Sequence, residues 1–426
     1  MAGREHVVIL GGGFGGWYAA RYLAWLLPRE HRITLVDRVP HMLYTPMLTE
    51  VAGGSVEGAS VAVPMGMLPS RVAFVRGDIA GVDVPAKTLR LADGTILTAT
   101  QLVLALGSTT SYHGIEGAEA NSIPLKTLNH ANELRGRVDG MVEAAMAAGA
   151  DAEDRQKSLT LAVAGGGYTG VETMAALNRR LRKAAAGAGI DAGEINAVLI
   201  EPTKRLMGEM PEDLAAYGQK EIEASGVRVM TGVGVKEVKG DTVVLTSGEE
   251  IRAGLLVWDT GIEPSPLLKD VAVPKGKHHG VVVDGCFRVQ GCEGVWAIGD
   301  CAEIPEPEGG GTYAPTAQNA VREGRQLAKN IAMTLRGSAP QPFRYKMLGQ
   351  LALLSGGKAV AMVLGVKVRG LLAWAMWWVI YTAKLPGIAT RAGVVRSLAL
   401  GNGRRGQLTI EGSVAEARGR EAQARA

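Results

Sequence analysis

Residues 161–172 read LAVAGGGYTGVE, an apolar run that stops at three glycines and restarts as a helical pattern. Residues 7–16, VVILGGGFGG, make the same turn near the start of the chain. Each places G-x-G-x-x-G after a strand: Gly11, Gly13 and Gly16 in the first, Gly165, Gly167 and Gly170 in the second. In such a turn the first glycine permits a sharp reversal. The second lets a pyrophosphate approach the backbone, and the third lets helix and strand pack closely. The helix that follows offers free N–H groups and its positive dipole end to phosphate. An acid is expected at the end of the next strand, where it accepts hydrogen bonds from ribose hydroxyls. Asp37 ends ITLVD and Glu201 ends AVLIE. One such turn is a weak signal. Two, each with its strand, helix and acid, predict two dinucleotide sites in one chain.

The remaining sequence fits an α/β reading. Strands are expected at His6–Leu10 and Ile33–Asp37, and several short ones over 70–105. A helix covers about 129–148, and the polar stretch Ala150–Ser158 reads as a domain junction. The second unit runs through a helix over about 170–186 to a strand at Ala197–Glu201. Further strands follow at Val227–Thr231, Val243–Thr246, Leu255–Thr260 and Gly294–Ile298, then a helix over about 316–336. A carboxylate at Glu201 favours a free 2′-hydroxyl and repels a 2′-phosphate, so NADH is expected over NADPH. Lys204 and Arg205 soften that preference.

Bulk properties narrow the class. A chain of 426 residues, 47% apolar and 21% charged, is an ordinary globular protein of two or three domains. The net charge of +4 is too small to argue for nucleic acid. Three cysteines, Cys286, Cys292 and Cys301, suggest a reducing compartment rather than a disulfide framework. Their spacing matches no zinc pattern. Adjacent His278 and His279 read as solvated loop residues, so no metal site is expected. The strand at His6 begins without a charged and then apolar leader pattern, so no signal peptide is expected.

These residues resemble the two-dinucleotide-binding flavoprotein superfamily, in which the first turn holds FAD and an inserted domain holds NAD(P)H. LALGS (104–108) and WDTG (258–261) are similar to the superfamily's crossover segments, which puts Gly107 and Gly261 at the cofactors. VWAIGDCA (295–302) resembles its late FAD motif, with Asp300 on the ribityl chain. The helix GGWYAARYLAWLL carries no redox cysteine pair, and Cys301 reads as a small packed residue. Within the superfamily the sequence is most similar to the type II NADH:quinone oxidoreductases. YTPMLTEVAGG (44–54) resembles their segment beside the flavin, and GGGYTGVE their NADH-site signature. APTAQNAVREG (314–324) is similar to their quinone-side A-Q-x-A-x-Q: Ala317, Gln318 and Ala320 match, with Arg322 where glutamine is common. FRYKMLGQLALLSGGKAV (343–360) resembles a C-terminal segment in which an acid is frequent at Met347.

The resemblance implies tightly bound, non-covalent FAD held by Gly11, Gly13, Phe14, Gly15, Gly16, Asp37, Gly107, Asp300 and Ala317. It implies NADH held by Gly165, Gly167, Gly170, Glu201 and Gly261. Pro46, Thr49 and Gln318 are expected to line the flavin or quinone pocket. Glu172 stands near the nicotinamide or, alternatively, is a helix-start carboxylate that complements the dipole. The expected organisation is a FAD domain (1–120 and 285–336), an NADH domain (155–284), a C-terminal membrane-associating α module (337–412) and a disordered tail (413–426).

The C-terminal module supplies a route to the acceptor. GLLAWAMWWVIYTA (370–383) is rich in tryptophan and too short to span a bilayer. Lys367, Arg369, Lys384, Arg391, Arg396, Arg404 and Arg405 surround it, and no acid lies between 367 and 405. That pattern predicts a helix lying in the bilayer interface. The expected protein is a peripheral, cytoplasmic-face, homodimeric respiratory enzyme that passes a hydride from NADH to FAD and two electrons to a membrane quinone without pumping protons. A soluble NADH-dependent reductase of a ferredoxin-like carrier and a flavin-bound NADH-sensing interaction protein are the alternatives.

Overall fold

A computed structural model describes residues 4–148, 151–307 and 310–400. The elements that position the site are, in chain order, β1 (His6–Leu10), α1 (Phe14–Leu26), β2 (Arg32–Asp37), α2 (Leu48–Ala52), β3 (Val72–Arg76), β4 (Gln101–Leu104), β5 (Ile123–Pro124) and α3 (Leu128–Ala147). Then come β6 (Thr160–Ala164), α4 (Tyr168–Gly187), β7 (Asn196–Glu201), β8 (Val227–Thr231), β9 (Leu255–Trp258), β10 (Val295–Ala297) and α5 (Ala317–Leu335). The chain closes with β11 (Gly349–Leu353), β12 (Ala359–Val363), β13 (Val366–Gly370), α6 (Leu371–Lys384) and α7 (Ile388–Leu400).

Two five-stranded parallel sheets form the frame, in the orders β10-β4-β1-β2-β3 and β5-β9-β6-β7-β8. Their central strands are buried on both faces, which is why they read as unbroken apolar runs rather than alternating ones. The chain leaves the first sheet after β4, builds the second, and returns at β10. α1 and α5 lie face to face. A Cβ at Gly324 would sit 2.4 Å from the Gly15 carbonyl oxygen, so this approach requires the glycine.

The polar stretch read as a junction is partly helical. Asp151 accepts from the backbone N–H groups of Glu153 and Asp154 and caps a helix over Ala152–Ser158. Its Arg155 and Lys157 pair with Glu194 and Asp241 of the second unit. The C-terminal part holds more than helix: β11, β12 and β13 form an antiparallel sheet. Its turns are built from Gly356-Gly357 and Leu364-Gly365, all at positive φ, a local signal the helical expectation did not use. α6 packs on this sheet and buries Trp377 and Trp378. No helix among the described residues is long and apolar enough to cross a membrane. Arg404, Arg405, the end of the 337–412 module and the 413–426 tail lie outside the described residues.

Candidate functional site

The two glycine turns repeat the same backbone geometry. Gly11 has φ +105° and Gly165 φ +108°, conformations that strongly favour glycine. A Cβ at either would lie 2.2 Å from a crossover carbonyl, Ala105 O or Asp259 O. A Cβ at Gly16 or Gly170 would lie 1.9 Å from the carbonyl oxygen of Gly11 or Gly165. These glycines are therefore demanded by the fold. Gly13 and Gly167 are not: both have ordinary negative φ, and no protein atom stands within 4 Å of where their Cβ would be. They leave open backbone at the N-termini of α1 and α4, neither of which carries an acid in its first turn. Space kept clear at a positive helix end is what a pyrophosphate needs. The residues present thus fit a dinucleotide in both cradles.

The two acids also match. Asp37 accepts from Gly12 N–H at 2.6 Å and from Val39 N–H at 2.9 Å. Glu201 accepts from Gly166 N–H and Thr203 N–H, both at 2.7 Å. Each carboxylate is thereby aimed beside its turn. Phe14 opens α1 and meets Tyr44 edge-on at 5.8 Å.

Between the two units lies a cavity of about 410 Å³. From the predicted residues it gathers Pro46, Thr49, Glu172, Gly261, Asp300, Ala317 and Gln318. Gly107 turns the chain at φ +66° just before Ser108, whose hydroxyl donates to Asp300 at 2.6 Å. Thr49 is buried, and its hydroxyl has no partner among the described residues. Leaving such a group unpaired costs about 1–3 kcal/mol, which a ligand in the cavity would offset. α5 begins at Ala317 behind its Thr316 cap, with its open N-terminus toward the same space.

Glu172 points to the C-terminal module. Its Oε1 accepts from the Leu353 backbone N–H and from Trp377 Nε1, each at 2.9 Å. Burial pushes its carboxyl up to about 8; the Leu353 N–H opposes the shift, while the Glu50 and Asp259 charges add to it. Asp259, at the end of β9, is likewise raised by burial, to about 7, against the pull of the Thr173 hydroxyl and Lys126. Gln318 is held from both ends: it donates to Gly349 O at 3.0 Å and accepts from Tyr345 OH at 3.2 Å. Arg322, the departure from the expected glutamine, lies over the Tyr345 ring at 4.1 Å and donates to Gln318 O at 2.9 Å. Cys301 is buried, with Sγ against the carbonyls of Leu104 and Ile298, and burial pushes its thiol up to about 12. It is a packed residue with no thiolate to offer.

The sequence reading missed Lys126. This half-buried ammonium donates to Ser108 Oγ at 2.9 Å and lies between the Asp300 and Asp259 charges, while burial lowers its pKa. Nothing near Lys126 in sequence marks it; only the crossing of two chain segments brings it to the cavity. Tyr381 was missed for the same reason: α6 brings it to the cavity wall from the far end of the chain.

The pyridine nucleotide-disulphide oxidoreductase model matches residues 5–324. A type II NADH:quinone oxidoreductase of Mycobacterium tuberculosis is 30% identical over 441 residues, covering 98% of this chain and 92% of that protein. A probable NADH dehydrogenase of Dictyostelium discoideum is 29% identical over 400 residues, covering 91% and 87%. The solved structure of NDH2 from Plasmodium falciparum in complex with NADH shares the fold, with a TM-score of 0.85 at 18% identity over 93% of this chain and 98% of that one. With that family match spanning both glycine turns, and that sequence relationship running on through the C-terminal module, the chain belongs to the pyridine nucleotide-disulphide oxidoreductase family and, within it, to the type II NADH:quinone oxidoreductases.

Proposed function

We propose that this chain oxidises NADH and reduces a membrane quinone. The observation that carries the reading is the doubled cradle, whose two units and C-terminal module wall a single cavity. The turn at Gly11–Gly16, with Phe14, Asp37, Gly107, Asp300 and Ala317, would hold FAD without a covalent link. The turn at Gly165–Gly170, with Glu201 and Gly261, would hold NADH. The FAD-binding part is 1–120 with 285–336, and the NADH-binding part is 155–284. When bound, FAD supplies a two-electron relay between a hydride donor and a quinone.

The chain's own residues do the rest. Thr49 and Pro46 form one wall of the cavity, and Gln318, locked by Gly349 and Tyr345, forms another. Lys126 and Ser108 orient Asp300 through a two-bond chain. Glu172 remains protonated through neutral pH, with both N–H donors on Oε1, so Oε2 is left to hold a proton beside the module that faces the acceptor. The apolar surface of α6 and α7, with Leu371, Leu372, Val379, Ile388 and Val395 all exposed, supports residues 337–412 as a peripheral anchor, and the lysines and arginines around it favour the anionic cytoplasmic face. The enzyme works as a homodimer in a respiratory chain and moves no protons across the bilayer.

The test is steady-state turnover of the FAD-loaded protein with NADH and a short-chain quinone. Turnover in the ordinary enzyme range, above about one per second, supports the reading; about one per minute or less overturns it. Protein that stays colourless after refolding with excess FAD overturns it earlier.

A further inference from the structure

A second cavity, of about 250 Å³, opens away from the cofactor site, between the end of α2, the outer face of α4 and the last turns of α7. Gly53, Gly54, Arg179, Arg180, Lys183 and Leu398 line it. We propose that this cavity binds a phosphate group, and that the headgroup of an anionic phospholipid supplies it. The proposal rests on the membrane-facing reading of the C-terminal module.

The charge balance carries the argument. Arg179 holds the buried Glu50 carboxylate at 3.0 Å and Ser55 Oγ at 2.9 Å. Arg180 forks onto Asp139, with 2.9 and 2.5 Å bonds. Arg396 of α7 pairs with Glu57 at 3.0 Å. Lys183 is exposed and bonds no carboxylate among the described residues. Arg135, beside Gly54 and close to Arg180, forms no ion pair among them either. The bonded carboxylates are thus Glu50, Asp139 and Glu57, while the cations around the opening also include Lys183 and Arg135. Positive charge is left over where space is left over.

Gly54 lets Arg180 take its place at the opening. Gly54 has φ +78°, and a Cβ there would lie 2.4 Å from Arg180 Nη1 and push the guanidinium aside. A guanidinium held by one carboxylate still has donors to offer, and Lys183 adds a mobile ammonium, a combination suited to phosphate oxygens. Among the described residues no aromatic ring lines the cavity to stack a base. Ser55, Ser397 and Leu398 complete its wall; Leu398, 40% exposed, continues into Val395 and Leu400, 57% and 60% exposed. An ammonium and guanidinium rim that runs into bare aliphatic surface matches a phosphate that carries acyl chains. α2 touches both cavities: Thr49 lies in its first turn, and it ends at Gly53.

The test uses the full-length, FAD-loaded protein in flotation with neutral phosphatidylcholine vesicles and with vesicles holding about 20% phosphatidylglycerol. Lys183→Gln and Lys183→Glu are compared with Lys236→Gln, which removes an exposed lysine from a strand over Val235–Lys239 of the second unit, paired antiparallel with Thr242–Leu245. Lys183 has no structural partner among the described residues, so its variants are expected to melt like the parent. Lys183→Gln should lower partition onto the anionic vesicles about 5-fold, and Lys183→Glu should lower it further. Lys236→Gln should have no effect, and binding to neutral vesicles should not change. Equal losses in Lys183→Gln and Lys236→Gln would reduce the effect to general charge and overturn the site. Inorganic phosphate that releases the parent from anionic vesicles at matched ionic strength, with Lys183-dependent heat on titration, would make free phosphate the occupant and overturn the lipid assignment. A parent that floats with neither vesicle overturns the membrane reading itself. A parent that floats while Lys183→Gln floats equally well overturns the cavity alone.

Discussion

Substituting the middle glycine of the second turn separates folding from binding. Gly167 caps α4 at φ −65° with no protein atom within 4 Å of its would-be Cβ. Alanine fits there, at a cost of roughly 1 kcal/mol for a poorer N-cap. Gly170, three residues on, would drive a Cβ to 1.9 Å from the Gly165 carbonyl oxygen. That overlap is backbone against backbone, which no rotamer relieves, so Gly170→Ala should cost about 3 kcal/mol or more. In Gly167→Ala the methyl group occupies the space kept for pyrophosphate. Charge-assisted hydrogen bonds of about 1.5–3 kcal/mol are forfeited, a loss of roughly 10- to 150-fold in NADH affinity. The assay pairs a thermal melt followed by flavin fluorescence with the KM for NADH. Gly167→Ala should raise KM and keep its flavin and nearly all its melting temperature. Gly13→Ala should instead lose FAD. Either a KM within about twofold of the parent, or a melt as low as that of Gly170→Ala, would refute the argument that this glycine is kept for a ligand.

Further outcomes follow from the same geometry. Because burial raises Glu172 from 4.5 to about 8, the folded state holds a proton that the unfolded state has lost across that interval, so stability should fall as pH rises through it. Glu172→Gln should flatten that slope and remove the alkaline limb near pH 8 from the quinone-reduction profile; an unchanged profile would exclude Glu172 as the titrating group. Glu201→Gln keeps one acceptor for the Gly166 and Thr203 N–H groups but drops the charge, and should narrow the NADH over NADPH preference about 10-fold, measured as the ratio of kcat/KM values. Ile388→Asp with Val395→Asp places carboxylates at positions 84% and 57% exposed, and should abolish vesicle flotation while soluble quinone turnover stays within about twofold. Deleting everything after 365 is a poorer test, because it removes Trp377 from Glu172 and opens the site.

The cradles were legible because their cause is local. Spacing puts a positive-φ glycine, an open helix end and an acid in fixed relation within one strand-turn-helix-strand unit, and Gly11 and Gly165 differ by only 3° in φ. Asp300 and Gln318 were legible only through resemblance, since no period marks them. The sheet at β11–β13 was partly written in Gly356-Gly357 and Leu364-Gly365, yet the first pair was read as part of a motif over 343–360 and the second was not read at all.

By itself the sequence determined that this chain builds two phosphate cradles and an aromatic, cationic C-terminal segment, because glycine geometry, strand hydrophobicity and charge patterning act over a few residues. Only tertiary structure decided what those parts face. Trp377 meets Glu172 across 205 residues, Lys126 lies between the charges of Asp259 and Asp300, and Arg322 finds Tyr345. Such contacts depend on how whole sheets and helices pack, and the burial that raises the Glu172 and Asp259 carboxyls exists only once they have packed.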